Sequence, residues 1–322
     1  MTGRAAPAPA DAAVPRRVAY LGPPGTFTEE ALRLETAFCE DTHIPMSTIP
    51  DVLDAAANGD ADFGFVAIEN SLGGSVNVTL DNLALESELL IQCEIVMPVQ
   101  LSLLAPPGTE LADVQRVVSF PMATAQCRTF LRTHLPGAEV EPATSTAEAV
   151  RTTADAADPH TAAIGAGRAA AIYRLASLAG DIGDDHEQHT RFVAVASSGI
   201  PAPTGHDKTS IVIFQREDVP GSLAGILHEF AARSINLTKL ESRPTKEALG
   251  DYCFAVDLEG HISDDLLADS LLNIQAKKAD VKFLGSYPAA VWQEGDATRH
   301  QADAAWQRAR KWLADIRDHI SD

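Results

Sequence analysis

Between Arg17 and about Ala196, short apolar runs ending in turn residues alternate with helix-like stretches. That succession restricts this part of the chain to a few layered folds. Val18–Leu21 runs into Gly22-Pro23-Pro24-Gly25, with a helix expected from Thr28. Phe63–Ile68 is closed by Glu69-Asn70-Ser71 and then Gly73-Gly74. Val114–Ser119 precedes Pro121 and a helix-like Thr124–Arg132. Ala162–Ile164 precedes Gly165, Gly167 and a helix-like Arg168–Leu178. The pattern predicts an α/β region whose parallel sheet carries helices on both faces. In such sheets ligands sit beyond the carboxyl ends of the strands. Those ends here carry hydroxyls, amides and a carboxylate, so chemistry is expected there.

After a Pro-containing linker, Ser197–Asp207, the pattern changes to β-α-β-β-α-β. Thr209–Phe214 alternates as a strand. In the following helix Leu223, Ile226, Leu227, Phe230 and Ala231 form one apolar stripe at helical spacing. Asn236–Pro244 and Tyr252–Leu258 read as two strands joined by a turn, Leu266–Ala276 as a second helix, and Val281–Tyr287 as a last strand. This is a ferredoxin-like, α+β arrangement. Beyond Pro288 a helix carrying Trp306, Ala309, Leu313, Ile316 and Ile320 is expected to end the chain.

Twenty-five basic residues against forty-five acidic ones give a net charge of −20, which argues against nucleic-acid and membrane partners. An anionic ligand then needs its own local source of positive potential. Cys39, Cys93, Cys127 and Cys253 are scattered, without CxxC spacing or a nearby His pair, so no metal site or disulfide framework is expected. The opening segment, Met1–Arg17, is rich in Ala and Pro and reads as a disordered arm, not a signal peptide. No apolar run reaches the roughly 18 residues that span a bilayer. The expectation is a cytoplasmic protein with reduced thiols.

Gly22-Pro23-Pro24-Gly25-Thr26-Phe27-Thr28 lacks the Lys of a P-loop and the third Gly of a dinucleotide fingerprint. Thr26 with Glu29 fits a capping box, and the helix-start amides there also suit a carboxylate. Glu69-Asn70-Ser71 fits either turn chemistry or a site in which Glu69 donates a proton. In Thr190-Arg191-Phe192 the two-residue period puts Thr190 on the side of Phe192 and turns Arg191 the other way. Read alone, Arg191 is a solvated strand residue.

Taken in order, Gly22–Phe27, Ile68–Ser71, Ser119-Phe120-Pro121 with Gln126-Cys127, and Thr190–Phe192 resemble the motifs of the prephenate dehydratase family. Glu241-Ser242-Arg243-Pro244 is similar to the ESRP motif of that family's ACT domain. The resemblance covers about residues 17 to 288. Four positions depart from the family pattern. Phe120 and Met122 stand where His and Gln are usual, Gln188 stands where an Asn commonly precedes the TRF motif, and Ala67 replaces a Pro.

The resemblance implies two α/β lobes like those of periplasmic binding proteins, then an ACT domain. The catalytic domain spans 17–200, with lobe 1 at 17–97 plus 189–200 and lobe 2 at 98–188. The ACT domain spans 207–288, between a 1–16 arm and a 289–322 helical extension. It implies cofactor-free, decarboxylating dehydration of prephenate to phenylpyruvate, and a homodimer or homotetramer. Thr190 assists departure of the hydroxyl, Glu69 is the other proton source, and Arg191 anchors a carboxylate. Thr26, Asn70, Ser71, Ser119 and Gln126 complete the substrate site. An L-phenylalanine effector pocket falls at Gly221, Ser222, Leu223, Asn236, Leu237, Glu241 and Ser242. The competing readings are an arogenate dehydratase and a non-catalytic amino-acid sensor.

Overall fold

A strand with a continuous apolar run must be covered on both faces, and the first strand is one, with Val18, Ala19 and Tyr20 all buried. In the computed structural model, which describes residues 15–217, 219–246, 250–290, 306, 308, 311–312 and 315–319, β1 (Arg17–Leu21) feeds α1 (Phe27–Leu34). Thr26 caps that helix, its Oγ1 accepting from Glu29 N (3.1 Å). Next come β2 (Thr42–Met46), α2 (Ile49–Ala57), β3 (Phe63–Asn70), β4 (Gly74–Ser75), α3 (Asn77–Asp81) and β5 (Leu90–Pro98). At Val99 the chain crosses to a second sheet. There lie β6 (Leu101–Ala105), β7 (Arg116–Ser119), α4 (Pro121–Gln126), α5 (Arg128–His134), β8 (Glu139–Pro142), α6 (Thr146–Ala156), β9 (Thr161–Ala166), α7 (Gly167–Tyr173) and β10 (Ala176–Ala179). It returns as β11 (His189–Ala196). The two crossings run side by side, with Val99 N donating to Gln188 O (2.9 Å).

The first sheet has the order β2-β1-β3-β11-β5, with β4 on β3; the second is β10-β6-β9-β7-β8. Both are mixed, which corrects the expected parallel arrangement. β1, β2 and β3 are parallel, whereas β11 runs antiparallel to β3 and β5, and β6 antiparallel to β9. Strands next to a crossing enter from the other lobe and so arrive from the opposite end. Two predicted helices are also shorter. Thr124–Arg132 breaks at Cys127, between α4 and α5. Arg168–Leu178 ends at left-handed Arg174 (φ 57°), after which Ala176–Ala179 pairs with the edge of β6. The arm falls outside the described residues except for residues 15 and 16. Of the last helix, Trp306 and Ile316 are helical and exposed, and Ala309, Leu313 and Ile320 lie outside them. Among the described residues no helix is long and apolar enough to cross a membrane.

The third sheet is built from β12 (Asp207–Gln215), α8 (Ser222–Ala231), β13 (Leu237–Pro244), β14 (Tyr252–Glu259), α9 (Asp265–Lys277) and β15 (Ala279–Pro288), ordered β13-β14-β12-β15. Strand alternation decides what each face covers. Ile211, Ile213, Phe254 and Val256 pack on Ile226, Phe230, Leu267 and Ile274 of the two helices. On the other face Val212, Cys253, Leu284 and Tyr287 share one core with Val52 of α2 and with Ile91, Val193 and Val195 of the first sheet. The third unit is thus seated on the first lobe through a continuous apolar layer.

That seating is close enough to need a glycine. Gly285 sits at φ +138°, and a Cβ there would lie 2.5 Å from the carbonyl oxygen of Ile91. Gly285→Ala is expected to cost about 1–3 kcal/mol through overpacking, read as a lower thermal midpoint. An unchanged midpoint would mean that β15 and β5 can part without penalty.

Candidate active site

A cavity of about 300 Å3 opens between the two lobes, at the low end of the volumes typical of ligand sites. Phe27, Leu101, Phe120, Met122 and Phe192 give it apolar walls, and Asn70, Gln126, Gln188 and Thr190 its polar groups. None of its described lining residues carries an ionisable side chain. Positive potential comes from backbone instead. Thr26–Thr28 at the start of α1 enter from the first lobe, and Thr144–Thr146 at the start of α6 from the second. The first amides of a helix have no intrahelical acceptor, and the helix dipole adds partial positive charge there.

Across one side of this cleft the lobes touch. Tyr173 Oη of α7 donates to Pro24 O in the Gly22–Gly25 turn (2.7 Å). Gly25, at φ +92°, lies so close to α7 that a Cβ would meet Ala169 at 3.1 Å and Tyr173 at 3.2 Å. The turn read as a helix cap therefore also joins the lobes.

Within the cavity the best-defined polar pair is Asn70 and Thr190. The two are register partners on β3 and β11. Asn70 Nδ2 donates to Thr190 Oγ1 (2.8 Å), while Asn70 Oδ1 accepts from Leu72 N (3.0 Å) and Gly73 N (2.9 Å). The two backbone donors fix which end of the Asn70 amide faces Thr190. With one lone pair so engaged, the Thr190 hydroxyl keeps its own hydrogen for another oxygen. This is an oriented donor in a site with apolar walls.

The remaining expected residues separate into cleft and non-cleft positions. Thr26 and Gln126 line the cavity. Ser71 is not among the lining residues and is tied to β11, its Oγ accepting from His189 N (3.0 Å). Ser119 is fully buried and donates to Ile164 O (2.7 Å), bracing β7 against β9. Glu69 and Arg191 face away from the cavity, toward the third sheet. Glu69 Oε2 lies 3.6 Å from both Arg191 and Lys239. The reason is a β-bulge. Arg191 pairs with Glu69 but Phe192 pairs with Ala67, so Ile68 is the extra residue. Without it Glu69 would share the cleft face of Phe65 and Ala67; with it, Asn70 does.

Arg191 is seated among carboxylates instead of at a substrate position. Its Nη2 is 2.7 Å from Asp257 Oδ2 on β14, and its Nε is 3.5 Å from Glu94 Oε2 on β5. Lys208 on β12 holds the same Glu94 at 2.8 and 2.9 Å. Burial by itself lowers the Arg191 pKa, but Asp257, Tyr287 and Glu94 together raise the guanidinium above its ordinary value. Burial by itself raises Asp257, but Arg191, Ser210 and Lys208 together leave the carboxyl below its usual range.

The expected effector residues fall on different faces of one chain. Asn236 and Leu237 line a cavity of about 440 Å3 with Leu227 and Ala231, while Ser242 opens on another of about 400 Å3 with Gln215 and Tyr252. Gly221 (φ +91°), Ser222 and Leu223 begin α8, with Ser222 Oγ accepting from Gln215 Nε2 (2.6 Å). Glu241 accepts a hydrogen bond from Ser75 Oγ, and Arg243 reaches Asp81 (2.8 Å), so the Glu241–Pro244 strand docks on the first lobe. Gln188, Thr144, Ser145 and Tyr173 were missed from sequence. The Ser145-Thr146-Ala147-Glu148 spacing is a capping signal that could have marked the α6 start.

Residues 18–199 match a family model described as prephenate dehydratase, and residues 209–275 one described as ACT domain. A prephenate dehydratase of Mycobacterium leprae is 42% identical over 310 residues, covering 94% of each chain. A prephenate dehydratase from Arthrobacter aurescens, in complex with L-Phe, is similar in structure with a TM-score of 0.85 and 39% identity. That match covers 94% of this chain and 99% of the other. GqqA, described as a novel type of quorum quenching acylase, has a TM-score of 0.75 and 28% identity over 85% of this chain and 98% of its own.

Because Ser119 braces two strands, Ser119→Ala is expected to act through stability, costing about 1–3 kcal/mol for the unpaired buried carbonyl. Affinity for a cleft ligand should stay within about twofold of wild type once the protein is folded. A larger loss of affinity at unchanged stability would return Ser119 to the binding site.

Proposed function

The chain belongs to the prephenate dehydratase family, and from that premise we propose that it converts prephenate to phenylpyruvate, carbon dioxide and water in phenylalanine biosynthesis. Residues 17–200 act as the catalytic unit and 207–288 as the regulatory one. The observation that carries the reading is the Asn70–Thr190 pair in a cleft whose described lining is without ionisable side chains. In this reaction the ring carboxylate leaves as carbon dioxide, and its bonding electrons become part of the aromatic ring. The hydroxyl departs from the opposite carbon and takes up one proton, making water. No base is needed, since no proton is removed from carbon. The step needs a donor to the departing oxygen and a site that holds a dianion.

Thr190 supplies the donor. A Thr hydroxyl does not ionise near pH 7, so it stabilises the developing hydroxide by hydrogen bonding, and the proton comes in net from water. The helix starts at Thr26–Thr28 and Ser145–Thr146 offer amides to the carboxylates, with Gln126 and Gln188 beside them. The apolar walls suit the ring and exclude water, which strengthens every dipole inside. Arogenate carries an ammonium group in place of the keto group, and the described lining offers no carboxylate to receive it. That favours prephenate. The same lining offers no base for a Thr nucleophile, so it does not favour acyl transfer.

Phe regulation is supported by the ACT match and by the relative's complex with L-Phe. Since the expected effector residues lie on separate faces of one chain, a pocket that unites them draws on a second copy. We therefore infer a homodimer or homotetramer. The four free cysteines, Cys39 among them exposed, suit a reducing cytoplasm.

Phenylpyruvate formation from prephenate tests the reaction. Thr190→Val should lower kcat by about 10²–10³-fold, the effect of removing one transition-state donor, and Thr190→Ser should recover most of it. The kcat should be flat with pH across the neutral range; a bell-shaped profile would point to an acid or base in the site. No product from wild type would remove the reading altogether. Phe should give heat on titration and change the rate. Neither effect would leave the enzyme without its regulatory pocket.

A further inference from the structure

Strand β11 carries Thr190 on one face and Arg191 on the other. Phe192 and Ala194 continue the Thr190 face into the core under α1, whereas Val193 and Val195 continue the Arg191 face into the core shared with β12, β14 and β15. The residue next to the cleft donor therefore belongs to the seat of the ACT sheet. Arg191 is 11% exposed and Asp257 7%, and Glu94 behind them is 1% exposed. Two buried cations, Arg191 and Lys208, meet two buried anions, Glu94 and Asp257. Ser210 Oγ donates to Asp257 Oδ1 (2.6 Å) and shares a hydrogen bond with Tyr287 Oη (2.6 Å). All but Glu94 and Arg191 stand on the ACT sheet.

We propose that Arg191 is a positioning residue, whose ion pair with Asp257 fixes β11 and thereby the Thr190 hydroxyl, so that turnover depends on how the ACT sheet is seated. Three features carry this. The pair joins the two domains directly, with no intervening side chain. It sits at the β-bulge where Arg191 faces Glu69 and Thr190 faces Asn70, so a shift of one pair moves its neighbour. A second link enters the same strand pair from the ACT side. Lys239 Nζ donates to Ser75 Oγ (2.6 Å), Glu241 accepts from that Ser75, and Ser75 is the register partner of Glu69, next to Asn70. Both cleft residues of the donor pair are thus backed by ACT contacts one residue away. A buried ion pair has a few discrete arrangements instead of a continuum, which suits it to transmit a change of seating.

The inference rests on Thr190 being the donor, and the test keeps the two apart. Arg191→Gln, Asp257→Asn and the double variant are compared with wild type for kcat, KM and response to Phe, well below their thermal midpoints. Either single change leaves a buried charge without its partner and can hinder folding. The double variant removes one charge of each sign and leaves Lys208 with Glu94, so it is the decisive one. The expected result is a kcat about 10–100-fold lower, as for a slightly displaced catalytic group, KM within about twofold, a weakened Phe response, and a double variant no worse than the singles. A rise in KM of about tenfold or more for Arg191→Gln, with Asp257→Asn unaffected, would make Arg191 a substrate anchor and overturn the proposal. Wild-type kcat and Phe response in a double variant that has lost only thermal stability would overturn it too, leaving a structural bridge. A wild-type chain without turnover would fail the reaction itself and take this inference with it.

Discussion

Strand β11 has to satisfy two cores at once, and much of the molecule is arranged around that demand. It is the return crossing from the second lobe, it lies between β3 and β5 in the first sheet, and both of its faces are buried. One face closes the core under α1 and ends at Thr190. The other closes the core beneath the third sheet and ends at Arg191. A guanidinium cannot be buried there unpaired, since desolvation without compensation is too costly. The acidic residues that meet it come from β3, β5 and β14, so the ACT sheet completes the electrostatics of the catalytic lobe. The apolar layer shared by Val193, Val195, Val212 and Tyr287 makes the same point without charge.

The cleft solves a different electrostatic problem. With a net charge of −20 the surface disfavours anions, and the described cavity lining offers no basic side chain. Two helix starts, one from each lobe, converge on it instead. Backbone amides give a fixed array of donors that needs no partner carboxylate when the site is empty, and a buried Arg would need one. An uncharged lining also suits a reaction whose driving force is internal to the substrate. The protein has to place a dianion and stabilise one departing oxygen, and a base would have nothing to do.

The alternation of strands, turns and helices was readable because periodicity is local. So was the placement of Thr190 and Phe192 on one side and Arg191 on the other. The order of motifs carried the resemblance to the family, and the switch after Ser197–Asp207 marked the second unit. What the sequence hid was non-local. The bulge at Ile68 reverses the parity of Glu69 and Asn70, and no residue there announces it. Asp257 lies far along the chain from Arg191, so a residue that reads as solvated, or by resemblance as a substrate anchor, becomes a buried bridge. Ser119, named by motif, is consumed by Ile164 O. The α6 start was legible as Ser145-Thr146-Ala147-Glu148 but had no motif to draw attention to it.

The contact between Tyr173 and Pro24 bears on how the two helix starts are held across the cleft. With the Gly22–Gly25 turn resting on α7, the two lobes are in contact beside the cavity, and the paired crossings at Val99 and Gln188 hold them together elsewhere. The contact consists of one hydrogen bond and the packing of Gly25 on Ala169, and it holds the α1 start and the α6 start on facing walls of one cavity. Helix amides act most strongly where apolar walls keep the local dielectric low. Thr190 and Asn70 lie on the lobe that is seated against the ACT sheet, and the α6 start lies on the lobe that is not. The contacts that seat the third sheet and the contact that joins the lobes at the Gly22–Gly25 turn therefore use different parts of the chain.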